Sequence, residues 1–448
     1  MRMDYSDANA LINNGLLSLS KDDKDYWSFK GKSNREYGHG LFQYPAMMVP
    51  QVTQAIIDSI LNIHSDIKTV CDPFVGSGTV MTESMIRGLS FFGTDINPLA
   101  ILLCQVKGGP FHINELKTKT ESLKDRINND KKTNYEINFV NKSKWFTKKA
   151  LICLSKIRRS IRAEDEVWAR RFFWVALAET IRLTSNSRTS TFKLHTRTEE
   201  DINERKNIIK ILDTFFGILD HNFQEYKNLY EKLENNNLLQ DGNYKQNIYI
   251  AFADARKANS TIKADMIITS PPYGDNHTTV PYGQHAYLPL QWIDFTDIDD
   301  SLDKENLLKS TNEIDSRSLG GHKKIIEEET SKIIQQSENL KDYINSLKDK
   351  PKDKINKVIS FFRDLDMCID PILEYLKNGG IMVWVLGNRR VCGKKVPLDK
   401  ILTDLFEKRN VSIFCELTRK IPSKRMALKN NLTETMSDEV ILLMRRGG

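Results

Sequence analysis

The tetrapeptide Ser270-Pro271-Pro272-Tyr273 closes the apolar run from Ala264 to Thr269. A strand stopped by two prolines brings a hydroxyl, a carbonyl and an aromatic ring together at the carboxyl edge of a sheet. That edge is where open α/β sheets bind ligands. Proline lacks a backbone N–H, so the turn is stiff and its carbonyls are presented instead of paired. A second constellation lies far upstream, in Asp72-Pro73-Phe74-Val75-Gly76-Ser77-Gly78-Thr79. Gly76 and Gly78 let the backbone pass close to a ligand with no Cβ in the way, and the helix that follows offers unpaired N–H groups to a carboxylate. The run has neither the GxGxxG spacing of dinucleotide sites nor the GK[ST] of a P-loop. Asp95 ends the next apolar stretch, where an acid can accept both hydrogen bonds of a ribose diol. Asp254 follows the later apolar run 247–252 in the same way.

These residues need a sheet to position them. Pro50 to Ile63 reads as a helix with Val52, Ala55, Ile56 and Ile60 on one face. A short strand from Ile67 to Cys71, the glycine turn, a helix from Val80 to Arg87 and a strand from Ser90 to Thr94 begin a doubly wound sheet. Further strands are expected at 247–252, 265–269, 381–386, 411–417 and 439–444. Between the two strand blocks, 148–184 and 204–233 read as helical. The first forty residues read as polar and irregular, and 297–354 as a charged insertion, helical or in part mobile, without a strand.

The glycine turn and the Ser-Pro-Pro-Tyr turn together resemble the cofactor and catalytic motifs of amino-methyltransferases, which methylate an exocyclic base nitrogen from S-adenosylmethionine. The serine-initial turn is similar to the cytosine-N4 branch of that family. The likeness spans Arg35 to Asn97 and Asn247 to Met444, with the cofactor motif first and the catalytic turn later. It implies an α/β, doubly wound Rossmann-like sheet with a large helical insertion. It also implies S-adenosylmethionine held by Tyr44, Asp72, Phe74, Gly76, Gly78, Thr79, Asp95 and Asp254. Tyr44 comes from Tyr37–Ala46, which resembles a cofactor-flanking motif with Phe42 where histidine is common. Asp254 corresponds to the residue that contacts the adenine amine.

Catalysis is implied for Ser270, Pro271, Pro272 and Tyr273. A ring-conjugated amine is a poor nucleophile because its lone pair is delocalised. Hydrogen bonds to Ser270 Oγ and the Pro271 carbonyl would draw it towards sp³ geometry, and Tyr273 would stack on a base turned out of the duplex. No metal is implied. A cytosine-C5 enzyme would need a nucleophilic cysteine after a proline, and no Pro-Cys pair occurs in the chain.

Composition fits this reading. The 448 residues allow one large or two medium domains, and 40% apolar residues can fill a core. The six cysteines form no CxxC pair, which favours reduced thiols over disulfides or zinc. No run approaches the roughly 18 apolar residues of a membrane span. Residues 1–6 lack the apolar region of a secretory leader, so a cytoplasmic protein with no membrane partner is expected. Net charge is +7, but residues 141–197 hold 14 Lys/Arg against 4 Asp/Glu, a local balance of +10. Such clustering is the footprint of a phosphate-binding surface. Within it, Asn186, Arg188 and Lys193 are the residue types that contact phosphates and base edges. Arg419, Lys424 and Arg425, around Pro422, form a second candidate grip on DNA.

The expected organisation is a catalytic domain made of 1–110 and 242–448, with an N-terminal arm at 1–34 and the charged insertion at about 297–354. Residues 111–241 form a basic helical insertion that reads the target. The expected activity is methylation of cytosine N4 in duplex DNA within a restriction-modification system, with a cognate restriction endonuclease acting on the same site. Adenine-N6 methylation is the closest alternative and RNA base methylation a more distant one.

Overall fold

A computed structural model of the chain describes residues 4–208, 210–257, 261–276, 279–321, 326–421 and 437–447. Seven strands form the central sheet: β1 Thr69–Asp72, β2 Ser90–Asp95, β3 Ile248–Phe252, β4 Ala264–Thr269, β5 Leu376–Gly387, β6 Val411–Lys420 and β7 Asp438–Arg446. Their order is β3-β2-β1-β4-β5-β7-β6. The first five pair in parallel, while β7 enters antiparallel between β5 and β6. The order turns back beside β1, the switch point at which such sheets open a ligand crevice. The doubly wound, Rossmann-like fold expected from the sequence is the fold observed.

The helices used below are α1 Tyr5–Ser18, α2 Pro50–Leu61, α3 Thr79–Ile86, α4 Pro98–Lys107, α5 Ile113–Asn129, α6 Lys148–Arg162, α7 Val167–Thr184, α8 Ile211–Asn235, α9 Tyr282–Trp292, α10 Lys352–Tyr375 and α11 Leu398–Glu407. Buried parallel strands present side chains to two faces in turn. On one face Val70, Met266, Ile268, Val383 and Ile441 join a core with α1 to α8. On the other, Cys71, Ile267, Met382, Trp384 and Leu442 pack against α10 and α11. The helices of 111–241 thus share a continuous core with the sheet. Leu116, Leu154, Trp174, Phe215 and Leu229 are all fully buried in it.

Two expectations are corrected. Residues 5–18, expected to be irregular, form α1: Ala8, Ile12 and Leu16, spaced i, i+4, seat it in the core among polar neighbours that hid the pattern. The helix before β5, which the sequence places at Asp364 to Leu376, begins at Lys352, because Val358, Ile359 and Phe362 continue its buried face upstream. The charged stretch that precedes it holds short helices at Lys304–Leu307, Glu313–Arg317, Glu327–Gln336 and Glu338–Ser346, and no strand among the described residues.

The basic segment also differs from expectation. Arg158 and Arg162 pair with Asp294, Arg170 pairs with Asp297, Arg159 with Asp130 and Arg182 with Glu179. Arg171 and Trp174 also donate to Asp297, through its carbonyl and carboxylate respectively. Arg158, Arg162, Arg170 and Arg171 thus dock the helices onto the loop after α9 and are not part of a free cationic surface.

Candidate active site

β1, β2 and β4 end side by side, and their loops line an open cleft. Tyr44, Asp72, Phe74, Gly76, Thr79, Asp95 and Asp254 all line it. So do Ser270 and Pro272, which brings the cofactor and catalytic candidates to one cavity. Pro271, Tyr273 and Gly78 are not part of the lining. Gly78 has φ +76°, and a Cβ there would stand 2.9 Å from Cys104 Sγ, so this glycine serves the packing of the turn onto α4.

The glycine turn is fixed from behind. The carboxylate of Asp95 accepts from Gly76 N at 3.0 Å and from Asn97 N at 2.8 Å. Asp72 accepts from Phe74 N at 3.0 Å and from the hydroxyl of Thr269 at 2.6 Å, tying the end of β1 to the end of β4. Lys107, buried at the end of α4, donates to the Ser77 carbonyl at 2.7 Å. Burial pushes the Asp72 carboxyl up to about 7 and the Asp95 carboxyl up to about 6. Lys107 is lowered to about 8, also by burial. Asp254 behaves differently. Burial raises it, but its hydrogen bonds and charge pairing with Arg256, at 2.6 Å, outweigh burial and hold it below the ordinary carboxylate range.

The cleft suits a cationic, hydroxyl-rich ligand with an aromatic portion. Three carboxyls, the buried Thr79 Oγ1 without a partner among the described residues, and the apolar walls of Phe74, Met47 and Leu319 are the observations that support S-adenosylmethionine there.

Residues outside the expected cofactor and catalytic sets also line the cleft, and two of them, Asn276 and Tyr282, belong to the polar stretch 274–284 that the sequence marks as an active-site loop. Tyr282 lies against Tyr44, ring centroids 5.8 Å apart, and Asn97 donates to the Tyr44 hydroxyl at 3.2 Å. Ile314, Arg317, Ser318 and Leu319 come from the charged insertion. Asp315, fully buried, accepts from Gly283 N at 2.8 Å and Gln284 N at 3.0 Å, capping α9 from a distant segment. Asn276, just past the catalytic turn, lines the cleft with a buried Oδ1 that has no partner among the described residues. An i, i+3 cap is visible in sequence; a cap donated from thirty residues away leaves no such spacing.

The DNA candidates separate. Residues 186–197 form a hairpin closed by the Ser187–Thr196 bridge, with Arg188 and Lys193 exposed on it. It rests on α9, where Leu194 N donates to Gln284 Oε1 at 3.2 Å and Phe192 meets His285 edge-on. Asn186 turns its amide inward to the Lys144 carbonyl at 3.1 Å. Arg419 is a correction: it is 4% exposed and bonds Glu439 and the Trp27 carbonyl, so it is not a surface contact. Its position on β6 opposite an acidic residue of β7 drew it into the sheet. Lys424 and Arg425 lie outside the described residues. Asn388 likewise caps α11 through Leu398 N at 3.1 Å, and Arg389 pairs with the buried Asp275.

No family model matches the chain. Among solved structures, the rRNA methyltransferase aviRa from Streptomyces viridochromogenes aligns over 99% of this chain and 94% of its own at 10% identity, with a TM-score of 0.29 that carries no weight. The Type II methyltransferase M.MjaII of Methanocaldococcus jannaschii is 32% identical over 100 residues, 22% of this chain and 18% of its own. The Type II methyltransferase M.MvaI of Kocuria varians is 32% identical over 464 residues, 99% of this chain and 99% of its own. With a full-length relative at that identity, the chain belongs to the Type II methyltransferases and takes its methyl group from S-adenosylmethionine.

Proposed function

We propose that this Type II methyltransferase acts on duplex DNA, placing the methyl group on N4 of a cytosine turned out of the helix. In that role it protects DNA from a restriction endonuclease that reads the same site. The observation that carries the reading is the presence of Ser270 in the same cleft as Asp72, Gly76 and Asp95. S-adenosylmethionine, when bound, supplies an electrophilic methyl on a sulfonium.

The chain supplies position. Asp95 receives the ribose hydroxyls, and Asp72 and the glycine turn hold the charged end. Ser270 Oγ and the Pro271 carbonyl accept the two N–H bonds of the target amine and localise its lone pair for in-line attack. Tyr273 provides the ring on which the base stacks, and the amine then loses a proton to water. Arg188 and Lys193 hold phosphates at the hairpin, with Asn186 beneath them. The serine-initial turn favours cytosine N4; adenine N6 is the second reading, because a serine hydroxyl accepts from either amine.

Ser270→Ala is expected to lower turnover by at least about a hundredfold, the scale of losing a placed hydrogen-bonding group in the transition state. Calorimetric binding of S-adenosylmethionine should be unchanged. Full turnover in that variant would contradict the assigned role.

A further inference from the structure

Ser270 does not stand alone. Its Oγ lies 2.9 Å from the Tyr273 hydroxyl, and that hydroxyl donates to Glu439 Oε1 at 3.0 Å. Glu439 sits directly across from Arg419 in the β6–β7 register, and Arg419 Nη1 donates to its other carboxylate oxygen. Arg419 Nε is anchored on the Trp27 carbonyl at 3.0 Å. Because β7 runs antiparallel, it is the beginning of that strand, not its end, that reaches the edge where β4 stops.

A phenol has one proton, and a carboxylate gripped by a guanidinium only accepts. The Tyr273 proton is therefore committed to Glu439, and the bond between Ser270 and Tyr273 has one remaining polarity, with serine as donor. We propose that Glu439 is a positioning residue that acts through Tyr273 to set the polarity of Ser270. The serine proton is held towards Tyr273 and its oxygen is left as an acceptor for the N–H of the target amine. The opposite polarity would aim a donor at the amine lone pair and tie up the electrons that must attack. This proposal rests on the reading of Ser270 as the amine's acceptor.

Glu439→Gln tests it. Arg419 forces the amide oxygen of the new side chain towards itself, so the amide N–H faces Tyr273 and turns the phenol proton onto Ser270. The expected result is a fall in kcat of about tenfold or more, with KM for duplex DNA, the Kd for S-adenosylmethionine and the thermal midpoint near wild type. Tyr273→Phe keeps the stacking ring but cuts the relay, letting Ser270 reorient. Its kcat should lie between wild type and E439Q, and the double variant should match Y273F, so that the second change rescues the first. A structural role for Glu439 would instead give additive losses.

Wild-type kcat in E439Q, or additivity in the double variant, overturns the proposal. If E439Q does not fold, Y273F decides: lower kcat at unchanged KM supports the relay and unchanged kcat overturns it. Activity retained in Ser270→Ala would instead overturn the underlying reading, whereas an inactive S270A beside a fully active E439Q would overturn the relay alone.

Discussion

Asp72 and Asp95 stand at the tips of adjacent strands with carboxyls raised by burial, to about 7 and about 6. Each has a folded-state value above its ordinary one. The stability each contributes is therefore fully present below about pH 4 and is lost as pH rises through the folded value. Two carboxyl groups that resist ionisation, one buried and one half-buried, favour a ligand carrying positive charge. A ligand bearing a sulfonium and an ammonium favours their ionised forms and lowers both values on binding. Affinity for S-adenosylmethionine is thus expected to rise several-fold from pH 5.5 to 7.5 and level off above, with protons released on binding. Calorimetry in two buffers of different ionisation enthalpy measures both quantities, and a flat profile without proton release would contradict the roles given to these acids. Both residues were legible in the sequence because each ends an apolar run, Asp72 at the start of the glycine turn and Asp95 one strand later. Glu439 was not, since its role depends on a strand order that places β7 beside β5.

At the scale of elements, the hairpin of 186–197 matters because it leans on α9, the helix that follows the catalytic turn. Arg188 and Lys193 are exposed there, whereas the arginines of α6 and α7 named above are paired with acids. Replacing both by alanine should weaken duplex DNA binding and lower the magnitude of the salt slope by about one for each phosphate no longer neutralised. Binding of S-adenosylmethionine should not change. Fluorescence titrations at several salt concentrations give the slope, and an unaltered slope would remove the hairpin from the DNA interface. The sequence showed that the charge was clustered but not which cations were free. That depends on Asp294 and Asp297, more than a hundred residues away from their partners in the chain. The cap that Asp315 places on α9 was hidden for the same reason.

Across the whole molecule, the sheet strands were legible because buried parallel strands are short, continuous apolar runs bounded by turns. Their edges shifted by a few residues, most at β5, where Leu376 to Gly380 extend the strand before its apolar centre. The helical region 111–241 was legible as helical but not as part of the sheet's own core, since its amphipathic faces do not state what they pack against. That shared core links the segment carrying the hairpin to the strands carrying the cleft. On the proposed function, a hairpin that grips DNA and a base in the cleft would be held in one frame, which is what a site-specific base modification requires.

Cytosine-N4 methylation of duplex DNA is tested most directly by mass spectrometry of nucleosides from mixed-sequence duplex DNA and, in parallel, from RNA, each incubated with the protein and labelled S-adenosylmethionine. Label is expected in N4-methylcytosine at a single recurrent sequence. Label in N6-methyladenine would contradict the choice of base while leaving the cleft's chemistry intact, and label appearing only when RNA is the acceptor would contradict action on duplex DNA.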